Sequence, residues 1–300
     1  MTDQPAGSRG YVIFAHNNPS VDYAALALCN ALLIKKHLKK AKAVALVTDQ
    51  GSLRWLKMNH PADHISHAFD HIIVTDIDKN LANDRRFQDT RYSSFKAAYN
   101  NLNRPNVLQY SPFDETVLLD ADYLMLDDSM DMVWGSIEDF MCNRKTCDLD
   151  HCHNGFGFDN RFNDMSIPLY WATAIYFKKT DHSRLIFDLM EFVRENYSYY
   201  QYLYRFMSSS YYRNDFALSI AIHVANNLME YGSIANLPID HILFSMEHDE
   251  LHRFSDGRCL ITSEPSQGDF RLHDVSMNVH MMNKRAVLRH AKEIIGYATC

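Results

Sequence analysis

Asp120 and Asp122 stand two residues apart, directly after the apolar run Val117-Leu118-Leu119. At the end of an extended strand, residues i and i+2 project to the same face, so their carboxylates lie within a few ångströms of each other. Left unpaired, two such groups repel and raise one another's pKa. A hard divalent cation with carboxylate and phosphate oxygens as ligands removes that penalty. Mg²⁺ or Mn²⁺ suits such a site better than a thiolate-preferring metal. The chemistry on offer is Lewis-acid stabilisation of charge building on a departing diphosphate.

Such a pair needs a scaffold, and the chain ahead of it repeats one unit. Tyr11-Val12-Ile13-Phe14-Ala15 reads as a strand ending at His16-Asn17-Asn18-Pro19, and a helical pattern follows over 21–38. Ala43-Val44-Ala45-Leu46-Val47 ends at Thr48-Asp49, and His71-Ile72-Ile73-Val74 ends at Thr75-Asp76. In open α/β sheets, ligands gather outside the carboxyl ends of the strands, which places Asn17, Asp49 and Asp76 near a nucleotide site. Ordinary surface-loop roles are the competing reading for Asp49 and Asp76. Further helices are predicted over 93–102, 183–204 and 216–228, and a β-rich segment over 170–177. Residues 134–164 turn polar and read as a long mobile or lid-like excursion.

With 47% apolar residues in 300, the chain has material for one large core or two modest ones. The expectation is a short disordered leader over 1–10 and a single domain over 11–300, split into a nucleotide-binding half (11–133) and an acceptor-binding half (134–300). No apolar run reaches the roughly 20 residues that span a bilayer, so no membrane partner is expected and a cytoplasmic location is. A formal charge of −7 argues against a uniformly basic nucleic-acid surface, although Lys35, Lys36, Lys39 and Lys40 could form a patch. Cys142, Cys147, Cys152, His151 and His153 are zinc-type ligands, but the spacing lacks a C-x2-C pair. A polar loop with incidental thiols is the preferred reading.

The stretch Ser111-Pro112-Phe113-Asp114-Glu115-Thr116-Val117-Leu118-Leu119-Asp120-Ala121-Asp122 resembles the segment leading into and through the D-x-D motif of glycosyltransferases with the GT-A fold, particularly family 8 enzymes such as glycogenin and bacterial galactosyltransferases. The resemblance implies an α/β fold with a mostly parallel central sheet flanked by helices and a helical C-terminal extension. It implies Mn²⁺ or Mg²⁺, a nucleotide-diphosphate sugar donor with a UDP-sugar foremost, and a hydroxyl acceptor. Asp120 and Asp122 match the metal ligands, with Ala121 or Asp122 also near the ribose.

The family's third ligand is a C-terminal histidine followed by a lysine that meets the diphosphate. Asn278-Val279-His280-Met281-Met282-Asn283-Lys284 keeps that order, without the family's glycine and Pro-Trp. By the same resemblance Tyr23 stacks on the base, Arg91 and Lys96 face the donor, and Trp171 and Thr173 line the sugar pocket. Asn214 and Asp215 stand near the donor sugar and acceptor, as catalytic candidates. Asp215 as a helix N-cap accounts equally well for that carboxylate. The abundance of Asn, His, Tyr and Met resembles phage-encoded glycosyltransferases, some of which modify hydroxylated bases in DNA, so DNA is admitted as an acceptor.

Three other readings compete. A haloacid-dehalogenase-like phosphatase would use Asp120 as nucleophile, but Leu124 stands where that family expects Thr or Val, and its motif lies near the N-terminus. A sugar nucleotidylyltransferase would need glycines in Ala15-His16-Asn17-Asn18. A nucleotide-sugar or glycan-binding module without turnover would keep the same scaffold.

Overall fold

The computed structural model describes residues 8–76, 84–151, 161, 167–205, 212–229 and 234–300. The chain opens with β1 (Arg9–Phe14), α1 (Tyr23–His37), β2 (Ala43–Thr48), α2 (Gln50–Asn59), α3 (Ala62–Ala68) and β3 (His71–Val74). A hairpin of β4 (Asp84–Thr90) and β5 (Ser93–Ala98) leads through a 3₁₀ turn at Arg104–Asn106 and the short α4 (Val107–Tyr110) to β6 (Glu115–Leu119) and β7 (Tyr123–Leu124). Then come β8 (Phe140–Cys142), β9 (Thr146–Asp148), β10 (Ala174–Lys178), α5 (Asp181–Glu195), α6 (Tyr197–Tyr204) and α7 (Asn214–Ala225). The remainder holds β11 (Ile242–Ser245), β12 (Glu250–Ser255), β13 (Arg258–Ser266), β14 (Asp269–Val275), β15 (Val279–Met281), α8 (Lys284–Arg289) and α9 (Ala291–Thr299).

Six strands form a mixed central sheet in the order β3-β2-β1-β6-β10-β8. The first four run parallel, and β10 is antiparallel to both β6 and β8. Helices cover both faces, which is why β1 is apolar at every inner position. Tyr11 and Ile13 enter the core on the α1 side, whereas Val12 and Phe14 enter the core built with α5 and α7. Gly10 belongs to the same packing, because an added Cβ would lie 2.5 Å from the Phe113 ring.

α1 is buried at every residue from Tyr23 to Ile34, as a helix that is apolar all round must be. It packs against α2, α3, α8, α9 and β7. Asp22 caps its start by accepting the Ala25 N–H at 3.0 Å. A second sheet, β7-β15-β11-β9, sets β15 beside β7, from much earlier in the chain, and beside β11. β12, β13 and β14 form a third, antiparallel sheet.

Several expectations change. Residues 93–102 are not a helix: β5 pairs with β4, and the Phe87 and Phe95 rings stack across the hairpin at 5.4 Å. The helix expected over 183–204 breaks at Asn196 into α5 and α6. Of the expected leader, residues 1–7 lie outside the described residues, and β1 already begins at Arg9. Part of the polar excursion is sheet, with β8 joining the central sheet and β9 the second one. Residues 152–160 and 162–166 of it, including Cys152 and His153, lie outside the described residues. The C-terminal region is helical at its end, as expected, but the sheet of β12, β13 and β14 precedes it unforeseen. No helix among the described residues is long and apolar enough to cross a membrane.

Candidate functional site

β6 ends at Leu119, and the Asp120 N–H donates to the Thr173 carbonyl at 2.9 Å, which joins the aspartate loop to the start of β10. On the other side, the Met281 N–H donates to the Asp122 carbonyl at 2.9 Å, and β15 pairs antiparallel with β7. Those two ladders bring His280 to the carboxylates from a distant part of the chain. Its Nε2 lies 3.4 Å from Asp122 Oδ1 and 3.8 Å from Asp120 Oδ2. One ligand atom from each of Asp120, Asp122 and His280 lies within 4.8 Å of the others, the single such cluster among the described residues.

The donor set fits a hard divalent ion. Adjacent ligands of an octahedral ion bound at about 2.1 Å sit about 3 Å apart, so the three groups need to close in by less than about 2 Å. Thr173 Oγ1 lies 3.3 Å from His280 Nδ1. A proton on Nδ1, donated to that hydroxyl, would leave the Nε2 lone pair facing the carboxylates.

Charges around the cluster are unevenly shared. Burial opposes ionisation of Asp122, but the Lys284 ammonium and His280 outweigh it and hold the carboxyl far below the usual range. The Lys284 Nζ is 2.7 Å from Asp122 Oδ2, an ionic contact without the alignment of a hydrogen bond. Asp120 is pushed the other way, by burial first and by the charges of Asp122 and Asp215, against the pull of Arg104 and His280. Arg104, itself buried, pairs Nη1 with Asp120 Oδ1 and donates from Nη2 to the Ala172 carbonyl at 2.6 Å.

The cavity over this cluster is also lined by Asp215 and Asn214 from the first turn of α7. Asp215 is not the N-cap of that helix: its Oδ1 accepts the Ala172 N–H at 3.1 Å, and its Oδ2 accepts from Arg213 at 2.9 Å. Burial raises its pKa, yet Arg213 and the Ala172 N–H more than compensate and keep the carboxyl below its ordinary value. Asn214 donates to Tyr99 OH at 3.1 Å.

Of the residues singled out in the sequence, Asp120, Ala121, Asp122, Tyr23, Trp171, Thr173, Asn214, Asp215, His280 and Lys284 line this one cavity. Asn17, Asp49, Asp76, Arg91 and Lys96 do not line it. Arg91 forms an ion pair with Glu264 at 2.9 Å, and Lys96 is exposed on β5. Asn17 lines a neighbouring cavity with Asp22, Asp49 and Trp55, where its Oδ1 accepts the Ala24 N–H at 2.8 Å. Asp76 is exposed.

Lining residues that the sequence reading did not single out include Arg85, Tyr99, Asn101, Arg104 and Tyr212. Tyr99 falls in the segment misread as helix, and Arg85 lies on β4, ahead of it. Arg104 precedes Pro105 and looked like loop punctuation. The Cys142 thiol is buried and pushed up by desolvation, and Cys147 Sγ lies 2.7 Å from His151 Nδ1.

No protein-family model matches the sequence, and no curated protein is significantly similar to it. Among solved structures, the chain is similar to the glycosyltransferase GlyE of Streptococcus pneumoniae TIGR4, at 10% identity and a TM-score of 0.39 over 77% of this chain and 45% of that one. It is similar to the galactosyltransferase LgtC in complex with donor and acceptor sugar analogues, at 14% identity and a TM-score of 0.44 over 76% and 72%. It is similar to mouse xyloside xylosyltransferase 1 in its apo form, at 9% identity and a TM-score of 0.41 over 74% and 83%. The chain spans less than half the length of GlyE.

Proposed function

We propose that the protein is a metal-dependent glycosyltransferase that moves a sugar from a nucleotide-diphosphate sugar, a UDP-sugar foremost, to a hydroxyl acceptor. The observation that carries this reading is the convergence of Asp120, Asp122 and His280 in a cavity that also presents Lys284, Arg104 and Asp215. Mn²⁺ or Mg²⁺ held by the three donors would supply Lewis-acid stabilisation of the leaving diphosphate. Lys284 would add a cation to the same phosphates, and Tyr23 and Ala121 would face the nucleoside. Trp171 and Thr173 would form the wall beside the sugar, within reach of the Arg104 guanidinium.

Asp215, kept ionised by Arg213, would orient the acceptor hydroxyl or take its proton, with Asn214 beside it. A DNA acceptor gains little from the lysine cluster. Lys35 pairs with Asp70, Lys39 with Asp128, and Lys36 sits over the Tyr297 ring.

A thermal-shift screen of UDP-sugars with and without Mn²⁺ tests the reading, because a ligand that binds only the native state raises its apparent stability. Wild type should show Mn²⁺-dependent stabilisation by at least one donor. Asp122→Ala should lose that response while keeping its circular dichroism spectrum. Donor affinity undiminished in Asp122→Ala would sink the assignment. Slow hydrolysis of the bound donor without acceptor would separate an enzyme from a binding module.

A further inference from the structure

We infer that Asn30 is a positioning residue for the metal-binding carboxylates, acting by clamping both ends of the loop that carries them. The inference rests on the metal-dependent reading above. Between Tyr23 and Ile34, where α1 is otherwise apolar or weakly polar, Asn30 is the one carboxamide, and it is fully buried. A buried amide is costly unless its donor and acceptor are both engaged. Here they are engaged by one short loop. Nδ2 donates to the Asp120 carbonyl at 3.4 Å, and Oδ1 accepts the Met125 N–H at 3.3 Å.

Those two bonds bracket Ala121, Asp122, Tyr123 and Leu124. Within the bracket, the Tyr123 N–H also donates to the Asp120 carbonyl at 3.2 Å, which holds the turn between the two aspartates. A leucine of similar size would pack in the same apolar surroundings, but it would leave the Asp120 carbonyl with one partner fewer and the Met125 N–H without the oxygen that receives it.

Asn278 clamps the following residues from the opposite side. Its Oδ1 accepts from Leu126 N–H at 2.7 Å and Asp127 N–H at 3.1 Å, and its Nδ2 donates to Asp127 Oδ1 and Ser129 Oγ, each at 2.9 Å. Because Asn278 lies two residues before His280, the segment that delivers the third ligand also restrains the residues that follow the aspartate loop. Metal affinity is sensitive to small displacements of its donors, so groups that fix the ligand-bearing backbone act on affinity as well as on stability.

Calorimetric titration with Mn²⁺, alongside the electron paramagnetic resonance signal of the free aquo ion, tests this on the full chain. Wild type and Asp122→Ala set the upper and lower references. Leu28→Ala, a fully buried change on the same helix, is the control for stability loss without loss of the clamp. Folded Asn30→Leu is expected to bind Mn²⁺ about tenfold or more weakly than wild type, whereas Leu28→Ala keeps its affinity despite a lower Tm. If Asn30→Leu does not fold, Asn30→Ala carries the decision. It removes both the donor for Asp120 and the acceptor for Met125 without adding a charge, and the same weakening is expected.

Affinity within about twofold of wild type in the folded variant would overturn the inference while the contrast between wild type and Asp122→Ala still upheld the metal site. Equal weakening in Leu28→Ala would reduce Asn30 to a stability role. A wild type that binds no Mn²⁺ would overturn both the metal-dependent reading and the inference.

Discussion

A carboxyl outside the site carries a pH dependence of its own. Asp249 is buried, its Oδ2 accepts the Met246 N–H at 2.7 Å, and its Oδ1 has no hydrogen-bond partner. Desolvation, with the charges of Asp150 and Asp148, pushes its pKa up to about 7 against the pull of the Met246 N–H and Arg91. The native state therefore holds a proton that the unfolded chain releases near pH 4. The resulting stabilisation is complete below about pH 4 and lost as pH rises through about 7.

Asp249→Asn removes the titration without changing the shape. Its stability advantage over wild type should grow between pH 4 and 7 to on the order of 4 kcal/mol and then level off. Denaturation midpoints across that range measure it; a difference independent of pH would contradict the burial argument. Nothing in the sequence flagged Asp249, because a desolvated carboxylate is created by packing. The Asp120 and Asp122 pair was legible because its signal is local: a spacing, an apolar strand before it and a strand after it. Arg104 was not, since its importance arises from burial against Asp120 and the Ala172 carbonyl, residues that neither spacing nor periodicity connects to it.

At the scale of elements, the parallel strands were readable because burial on both faces leaves short apolar runs ended by polar residues, as in β1, β2 and β3. The β4–β5 hairpin was not. Ser93-Ser94-Phe95-Lys96-Ala97-Ala98 carries two alanines and a lysine, which favour helix locally, while the Phe87 and Phe95 pairing that decides for strand spans the turn. Lys96 lies within the misread segment, exposed on β5, and Arg85 faces the site from its partner strand β4. The start of β1 gives the test of packing at this scale. Gly10→Ala would set a methyl against the Phe113 ring and force the ring or the strand to yield. Overpacking of this kind costs about 1–3 kcal/mol, so a lowered Tm is expected, with Mn²⁺ affinity unchanged because β1 bears none of its ligands. A Tm equal to that of wild type would mean that the ring moves freely.

For the molecule as a whole, the central sheet needs nothing beyond Lys178, whereas the second sheet is built from β7, β9, β11 and β15. β15 lies between β7 and β11, so His280 reaches Asp122 only after the last strand has been inserted between its neighbours. Non-local pairings of this kind form late, because the entropy of closing a long loop must be met before the contacts reward it. If the centre binds Mn²⁺ as proposed, uptake of the ion becomes a chronometer of folding. In stopped-flow refolding with Mn²⁺, the far-ultraviolet signal should recover before the uptake of the ion, and the two phases merging into one would show that β15 enters with the central sheet. A ribosome-bound chain stalled before β15 would carry both aspartates and no complete centre, so the ion distinguishes finished protein from nascent chain.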